Sequence, residues 1–196
     1  YIKLDSKGST REGWNKVRTA INACTRQPMY LQVAFCKTVA SCNGWMDRLA
    51  NAWRTSGDSQ ATWASVMNNM DSAEPLWPLA GPTGPIGGHW NDAECAINLL
   101  PPPPASLFGD SNKVACVLLA ASMLQVGDVG LSQTEQKSQL AIWAIMNMPI
   151  LMSSDLRKLL RPENNATRVL LTNKRIIALN QDPLGYQGRR LVGSTP

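Results

Sequence analysis

The sequence predicts an α/β fold in which parallel strands are joined by helical crossovers, and three observations carry that prediction. Short β-rich runs alternate several times with stretches whose apolar residues recur at helical spacing. The connections between them are short, as βαβ units require. Three acidic residues, Asp5, Asp58 and Asp92, each stand just after a strand or in the loop that follows one, where a (β/α) barrel places its chemistry. Alternation by itself fits a doubly wound sheet as well as an arc of such a barrel.

Residues 1–5 read as a strand, apolar at Ile2 and Leu4 and ending in Asp5. Trp14, Val17 and Ile21 space a helix over about 10–24, and after Pro28 the run Met29 to Phe35 is β-rich enough for a strand. A helix is expected over about 44–52 and another over about 60–71, where Trp63, Val66, Met67 and Met70 recur. Leu76–Ala80 reads as a short strand, followed by a turn-rich loop from Gly81 to Asp92. Helix Thr134–Asn147 should stop before Pro149, since the residue before a proline is pushed out of the helical region. Ile150–Met152 reads as a strand, two short helical pieces reach Leu171, and Arg175–Leu179 closes the pattern as a strand. Pro101–Pro104 and the apolar run Val114–Ala121 break the rhythm and read as a loop insertion.

Arg54 and Asp58 lie four residues apart on the connection between two helical stretches, where site residues concentrate. Their simplest reading is an ion pair with Asp58 capping the next helix.

At 196 residues and 44% hydrophobic content the chain is long enough for one domain with a core, and disorder is excluded. Its apolar runs fall far short of the roughly 18 to 20 residues of a membrane span. A chain that starts inside a strand, without an initiator Met or a signal peptide, reads as a processed or partial polypeptide. The net charge of +5 is dispersed, densest at Arg189-Arg190, with no aromatics interleaved, so it reads as a solvated face and not as a nucleic-acid surface. Five cysteines without a CxxC, and His89 as the sole histidine, give no zinc pattern, and no metal or cofactor is expected. The sequon Asn165-Ala166-Thr167 marks Asn165 as a glycosylation candidate and points to the secretory route.

Three stretches carry a resemblance: Leu140-Ala141-Ile142-Trp143-Ala144-Ile145-Met146, the run from Pro149 to Arg157, and Asn180-Gln181-Asp182-Pro183-Leu184-Gly185. With Lys3-Leu4-Asp5, Trp53-Arg54 with Asp58, and Gly88-His89-Trp90-Asn91-Asp92 in the same order, the chain resembles the retaining α-galactosidases and α-N-acetylgalactosaminidases of glycoside hydrolase family 27. The resemblance covers nearly the whole chain apart from the insertion. It implies a (β/α)8 barrel fragment, about strands four to eight with their helices, over residues 1–196. The first strands and the family's C-terminal β-sandwich would be absent.

The resemblance assigns Asp5 as nucleophile and Asp58 as general acid/base, the two carboxyl groups about 5 Å apart that a retaining hydrolase needs. It places Lys3 on a sugar hydroxyl, Arg54 near the sugar's 2-position, and Trp90 and Asp92 in the loop at the seventh strand. Glu94 is one candidate for that loop's second aspartate, and Met123 is where the family text resumes. The inserted piece is then Cys95–Ser122, or starts at Glu94 if Ser122 holds the aspartate's place. It suits either a cover over the sugar pocket or a contact with another protein.

Two positions depart from the family. Ser6 and Lys7 follow Asp5 where the family has a cysteine that forms a disulfide. Where the family has Cys-Glu-Trp, an ungapped alignment gives Phe35-Cys36-Lys37, so Cys36 replaces the glutamate that reads the C2 substituent. A neutral thiol does not reproduce a carboxylate's hydrogen bonds.

The expected function is hydrolysis of terminal α-linked galactose or α-N-acetylgalactosamine by double displacement. The alternative is a catalytically impaired binding or structural subunit. The expected partners are an α-galactoside-type carbohydrate and a covering element, from the rest of the same chain or another subunit, that completes the barrel. The resemblance implies a secreted, vacuolar or lysosomal location. His89, Trp143 and Met146 read as packing residues, Trp45 as core or pocket aromatic, and Asp155 and Asp182 as cap or turn residues.

Overall fold

The computed structural model describes residues 1–4, 10–24, 29–34, 36, 38–93, 95–96, 124–152 and 154–191, with the backbone alone at 95 and 96. Four parallel strands form one sheet in sequential order: β1 (Ile2–Leu4), β2 (Leu31–Val33), β3 (Ala52–Arg54) and β5 (Trp90–Asp92). A second pair, β4 (Asp58–Ser59) with β6 (Cys95–Ala96), also runs parallel beyond the ends of β3 and β5. A parallel bridge joins Leu124 to Met152. The register Lys3–Gln32–Ala52–Trp90, with Arg54 opposite Asp92, sorts the side chains by face. Lys3, Gln32, Arg54, Trp90 and Asp92 share one face. Leu4, Val33, Trp53 and Asn91 take the other.

That second face carries the core. Leu31, Val33 and Trp53 pack with Trp14 and Ile21 of helix α1 (Arg11–Cys24) and with Met46 and Leu49 of α3 (Met46–Leu49). The short α2 (Val39–Cys42) is closed by a Thr38–Ser41 capping box. A second cluster joins Met70 and Ala73 of α4 (Trp63–Ala73) to Leu140, Trp143 and Met146 of α5 (Gln133–Ile145) and its C-cap. Helices α6 (Leu156–Leu159), α7 (Asn165–Leu171) and α8 (Lys174–Asn180) complete the layer. Trp143 and Met146 are thus core residues, and His89 is a packing residue whose ring lies 5.7 Å from that of Trp53. Trp45, half-buried, stacks on Trp14 at 6.0 Å and packs against the core from its edge.

Four expectations are corrected. Leu76–Ala80 lies not in a strand but in a 3-10 helix, Glu74–Leu79, because Pro75 and Pro78 lack the N–H that a ladder needs. Arg175–Leu179 is helical: the Asn173 side chain accepts from the backbone N–H of Arg175 and Ile176, and Ile176 packs on the second cluster. The helix expected over 44–52 stops at Leu49, since Ala50 turns extended and Asn51 N–H bonds Leu31 carbonyl, so Ala52–Arg54 is a sheet strand. Trp90–Asp92, expected in a loop, is also a strand.

Other signals match the structure. Asp155 caps α6, and Asp182 accepts from Leu184 N–H in a turn. In that turn Gly185 adopts φ +61°, and a Cβ there would meet Pro82 Cβ at 2.7 Å, so the Pro-Leu-Gly text ends on a residue that only glycine fills without strain.

Candidate active site

In a parallel αβ arc, the C-terminal ends of the strands carry the reactive groups because the βα loops gather there. Arg54 is the last residue of β3, and its side chain is only 4% exposed. Its guanidinium donates to Asp58 Oδ1 at 2.7 Å, while Asp58 itself stands 41% exposed at the mouth. Asp58 is not a helix cap, because Thr62 caps α4. The pair is thus one buried cation holding an accessible carboxylate at the strand ends, unlike a solvated surface pair.

The turn between Arg54 and Asp58 is fastened to β5. Thr55 N–H and Thr55 Oγ1 both donate to the Asp92 carbonyl, at 2.9 and 3.2 Å. Ser56 Oγ donates to the Ala93 carbonyl. Beneath it lies a buried polar line: Tyr1 hydroxyl donates to Gln32 Oε1, and Gln32 Nε2 donates to Asp92 Oδ2. Gln32 and Asp92 are both fully buried. Burial, then the Asp92 charge and the Tyr1 phenol, push the Tyr30 hydroxyl above the ordinary phenol range, which keeps it a neutral donor.

The sequence candidates fall into three groups. Arg54 and Asp58 are brought into contact, Asp92 sits opposite Arg54 in register, and Lys3 stands on the same face beside Gln32. Trp90 lies at the opposite end of β5 and donates to the Gly185 carbonyl at 3.4 Å. Cys36, expected as a neutral thiol facing the sugar, is instead joined to Cys42 in a disulfide, so no free thiol stands at position 36. Asn165 is exposed at the start of α7, with Oδ1 accepting from Arg168 at 2.7 Å. Asp5, Glu94 and Met123, and residues 97–122 of the insertion, lie outside the described residues.

Sequence reading passed over Gln32, Thr55 and Ser56. For Gln32 the signal is a polar residue between Leu31 and Val33, on the parity of Lys3. Thr55 and Ser56 read simply as helix breakers.

A cavity of about 540 Å³ opens at the other end of the strands, lined by Tyr1, Tyr30, Trp90, Pro149, Asn180 and Asp182 among others. It lies on the αβ-loop side; Tyr1 and Tyr30 join it to the polar line above, and its lining includes neither Arg54 nor Asp58.

A sequential parallel sheet with helices on its outer face and a polar inner face defines the chain as an arc of a (β/α) barrel with its reactive side at the strand ends. The family described as alpha galactosidase A matches residues 118–182. The chain is 32% identical to mouse alpha-N-acetylgalactosaminidase over 98% of its length and 40% of that protein. It is 31% identical to an alpha-galactosidase of Oryza sativa subsp. japonica over 75% of its length and 26% of that protein. Alpha-galactosidase I from Mortierella vinacea superposes with a TM-score of 0.66 at 22% identity, over 93% of this chain and 41% of that one. The chain belongs to the α-galactosidase/α-N-acetylgalactosaminidase family, glycoside hydrolase family 27. It spans about two fifths of the length of the mouse relative. Among the described residues no helix is long and apolar enough to cross a membrane, and no group of metal-ligating side chains occurs.

Proposed function

We propose that the protein of which this chain is part is a retaining exo-glycosidase that removes terminal α-linked galactose or α-N-acetylgalactosamine. The observation that carries this reading is Asp58, exposed at the strand ends and held at 2.7 Å by the buried Arg54. In the double displacement, Asp5 attacks the anomeric carbon while Asp58 protonates the departing oxygen. Asp58 then takes a proton from the water that releases the sugar from Asp5. Lys3, Arg54, Asp92, Glu94 and Met123 belong to the sugar side of this proposal, with Trp90 in a supporting place. Asp92, being buried, acts by fixing its neighbours and not by touching sugar.

The disulfide changes the reading of the C2 contact. With Cys36 bonded to Cys42, no thiol is free at the position aligned with the family's glutamate, so the C2 substituent is not read by a cysteine S–H there. The rest of the same chain, or another subunit, would complete the barrel beside β1, which pairs with β2 alone in the described sheet. A secreted, vacuolar or lysosomal location fits the sequon and the disulfide. The alternative reading is a catalytically impaired binding or structural subunit.

The test is release of nitrophenol from p-nitrophenyl α-galactoside and α-N-acetylgalactosaminide by the native protein, with Asp5→Asn as control. Release abolished by Asp5→Asn supports the enzyme, and the preferred sugar reports on the C2 contact. No release from folded protein on either substrate supports the binding subunit.

A further inference from the structure

Between Arg54 and Asp58 the backbone leaves the sheet and must return Asp58 to a fixed place beside the guanidinium. Two neighbouring side chains with no part in the chemistry do this. Thr55 gives both its N–H and its hydroxyl to one carbonyl of β5, and Ser56 gives its hydroxyl to the next, that of Ala93. Thr55 and Ser56 are buried, as are Asp92 and Ala93, so water does not compete for these bonds. Gly57 follows with nothing within 4 Å of where a Cβ would lie, so packing at that residue does not hold the turn. Asp58 then pairs in register with Cys95. The turn is therefore held by hydrogen bonds at Thr55 and Ser56, and at its end by the Arg54 contact and the β4–β6 pairing.

We propose that Thr55 and Ser56 are positioning residues for the general acid/base: their hydroxyls lock the turn to the end of β5 so that the Asp58 carboxyl meets the glycosidic oxygen. This rests on the glycosidase reading above. A misplaced acid slows cleavage of bonds whose leaving group needs a proton, and matters less where the leaving group departs as a stable anion. An angstrom-scale misplacement can cost about a hundredfold in rate.

The experiment compares Thr55→Val, Ser56→Ala and the double variant with the native protein on a series of α-galactosides graded from methyl to 2,4-dinitrophenyl. Hydrogen–deuterium exchange of the peptide spanning residues 55–59 is followed in parallel. The expected result is a kcat/KM loss in the double variant of about tenfold to a hundredfold on the methyl glycoside. On the dinitrophenyl glycoside the loss shrinks to a few-fold. Azide, a nucleophile that needs no base, restores turnover there, and faster exchange appears at 55–59. Thr55→Ser, which keeps the hydroxyl, stays near the native rate. An equal loss across the whole series, or no loss, overturns the proposal and leaves the glycosidase reading intact. Unchanged exchange at 55–59 overturns it whatever the activity. A native protein silent on every substrate overturns the glycosidase reading and the proposal together.

Discussion

Asn51 offers a perturbation whose magnitude can be worked bond by bond. It sits at the start of β3, at the end of the sheet away from Asp58. Its Oδ1 accepts from Leu31 N–H at 3.0 Å and from the Arg18 guanidinium at 3.0 Å. Its Nδ2 donates to the Ile86 and Gly88 carbonyls at 3.3 and 3.2 Å. Arg18 is buried, and desolvation lowers its pKa, so it depends on its acceptors, which include Leu49 carbonyl at 2.7 Å. Asn51→Leu keeps the volume and removes all four bonds. Two buried donors left without an acceptor cost about 1–3 kcal/mol each, and the two carbonyls add less because they are half-solvated. The expected destabilisation is about 3–5 kcal/mol. Asn51→Asp keeps the Oδ1 acceptor and places an anion beside Arg18, but sets a carboxylate oxygen against the Ile86 and Gly88 carbonyls, so it should cost about 1–2 kcal/mol. Urea unfolding followed by tryptophan fluorescence, at constant m, measures both. Because Asn51 lies away from the reactive end, kcat per folded molecule should stay at the native value in either variant. A loss under 1 kcal/mol for Asn51→Leu, or equal losses for the two, would refute the reasoning.

Three further predictions come from other elements. The Cys36–Cys42 bridge closes a loop with a sequence separation of 6, and Cys36→Ser with Cys42→Ser should lower stability by about 2 kcal/mol, read from the denaturant midpoint. In the native protein, Cys36 should resist alkylation until a reductant is added, whereas exposed Cys24 reacts at once. The Glu135 carboxyl is held below the ordinary carboxylate range first by the Ser132 hydroxyl and then by the Ser132 backbone N–H. A carboxyl depressed in the folded state adds stability above its unfolded pKa, and that stability fades as pH falls through the folded one. The acid limb of the stability curve should therefore flatten in Ser132→Ala, a change seen by thermal unfolding between about pH 5 and 2.

The parts of the fold that could be read in the sequence are those in which one local signal decides. Pro149 ended α5, Trp14, Val17 and Ile21 spaced α1, and the Pro-Leu-Gly turn declared its own geometry. The Arg54–Asp58 pair was legible as a pair, because i, i+4 spacing and a run of Thr, Ser and Gly are local facts. Its burial was not. Arg54 became the end of a strand only because Asn51 N–H found Leu31 carbonyl, a bond across twenty residues that no window of sequence contains. Arg175–Leu179 misled for the opposite reason: two adjacent isoleucines read as a strand, and one capping asparagine and the packing of Ile176 made a helix. Gln32 stayed hidden because a polar residue in a three-residue strand has meaning only once its neighbours on β1 and β5 are known.

The two ends of this sheet carry different work. At the N-terminal end, Arg18 and Asn51 bind the helix layer to the strands, and their polar groups are spent on backbone carbonyls and amides. At the C-terminal end, Arg54, Thr55 and Ser56 spend theirs on fixing one exposed carboxylate. Gln32 and Asp92 run between, a buried polar line on the inner face that has no place in an ordinary apolar core. A buried anion such as Asp92 is costly unless the face it serves requires charge, and here that face also bears Lys3 and Arg54. The arrangement supports the proposal that this face meets a polyhydroxyl ligand. Substitutions at the first end should therefore change how much protein is folded, and substitutions at the second should change what the folded protein does.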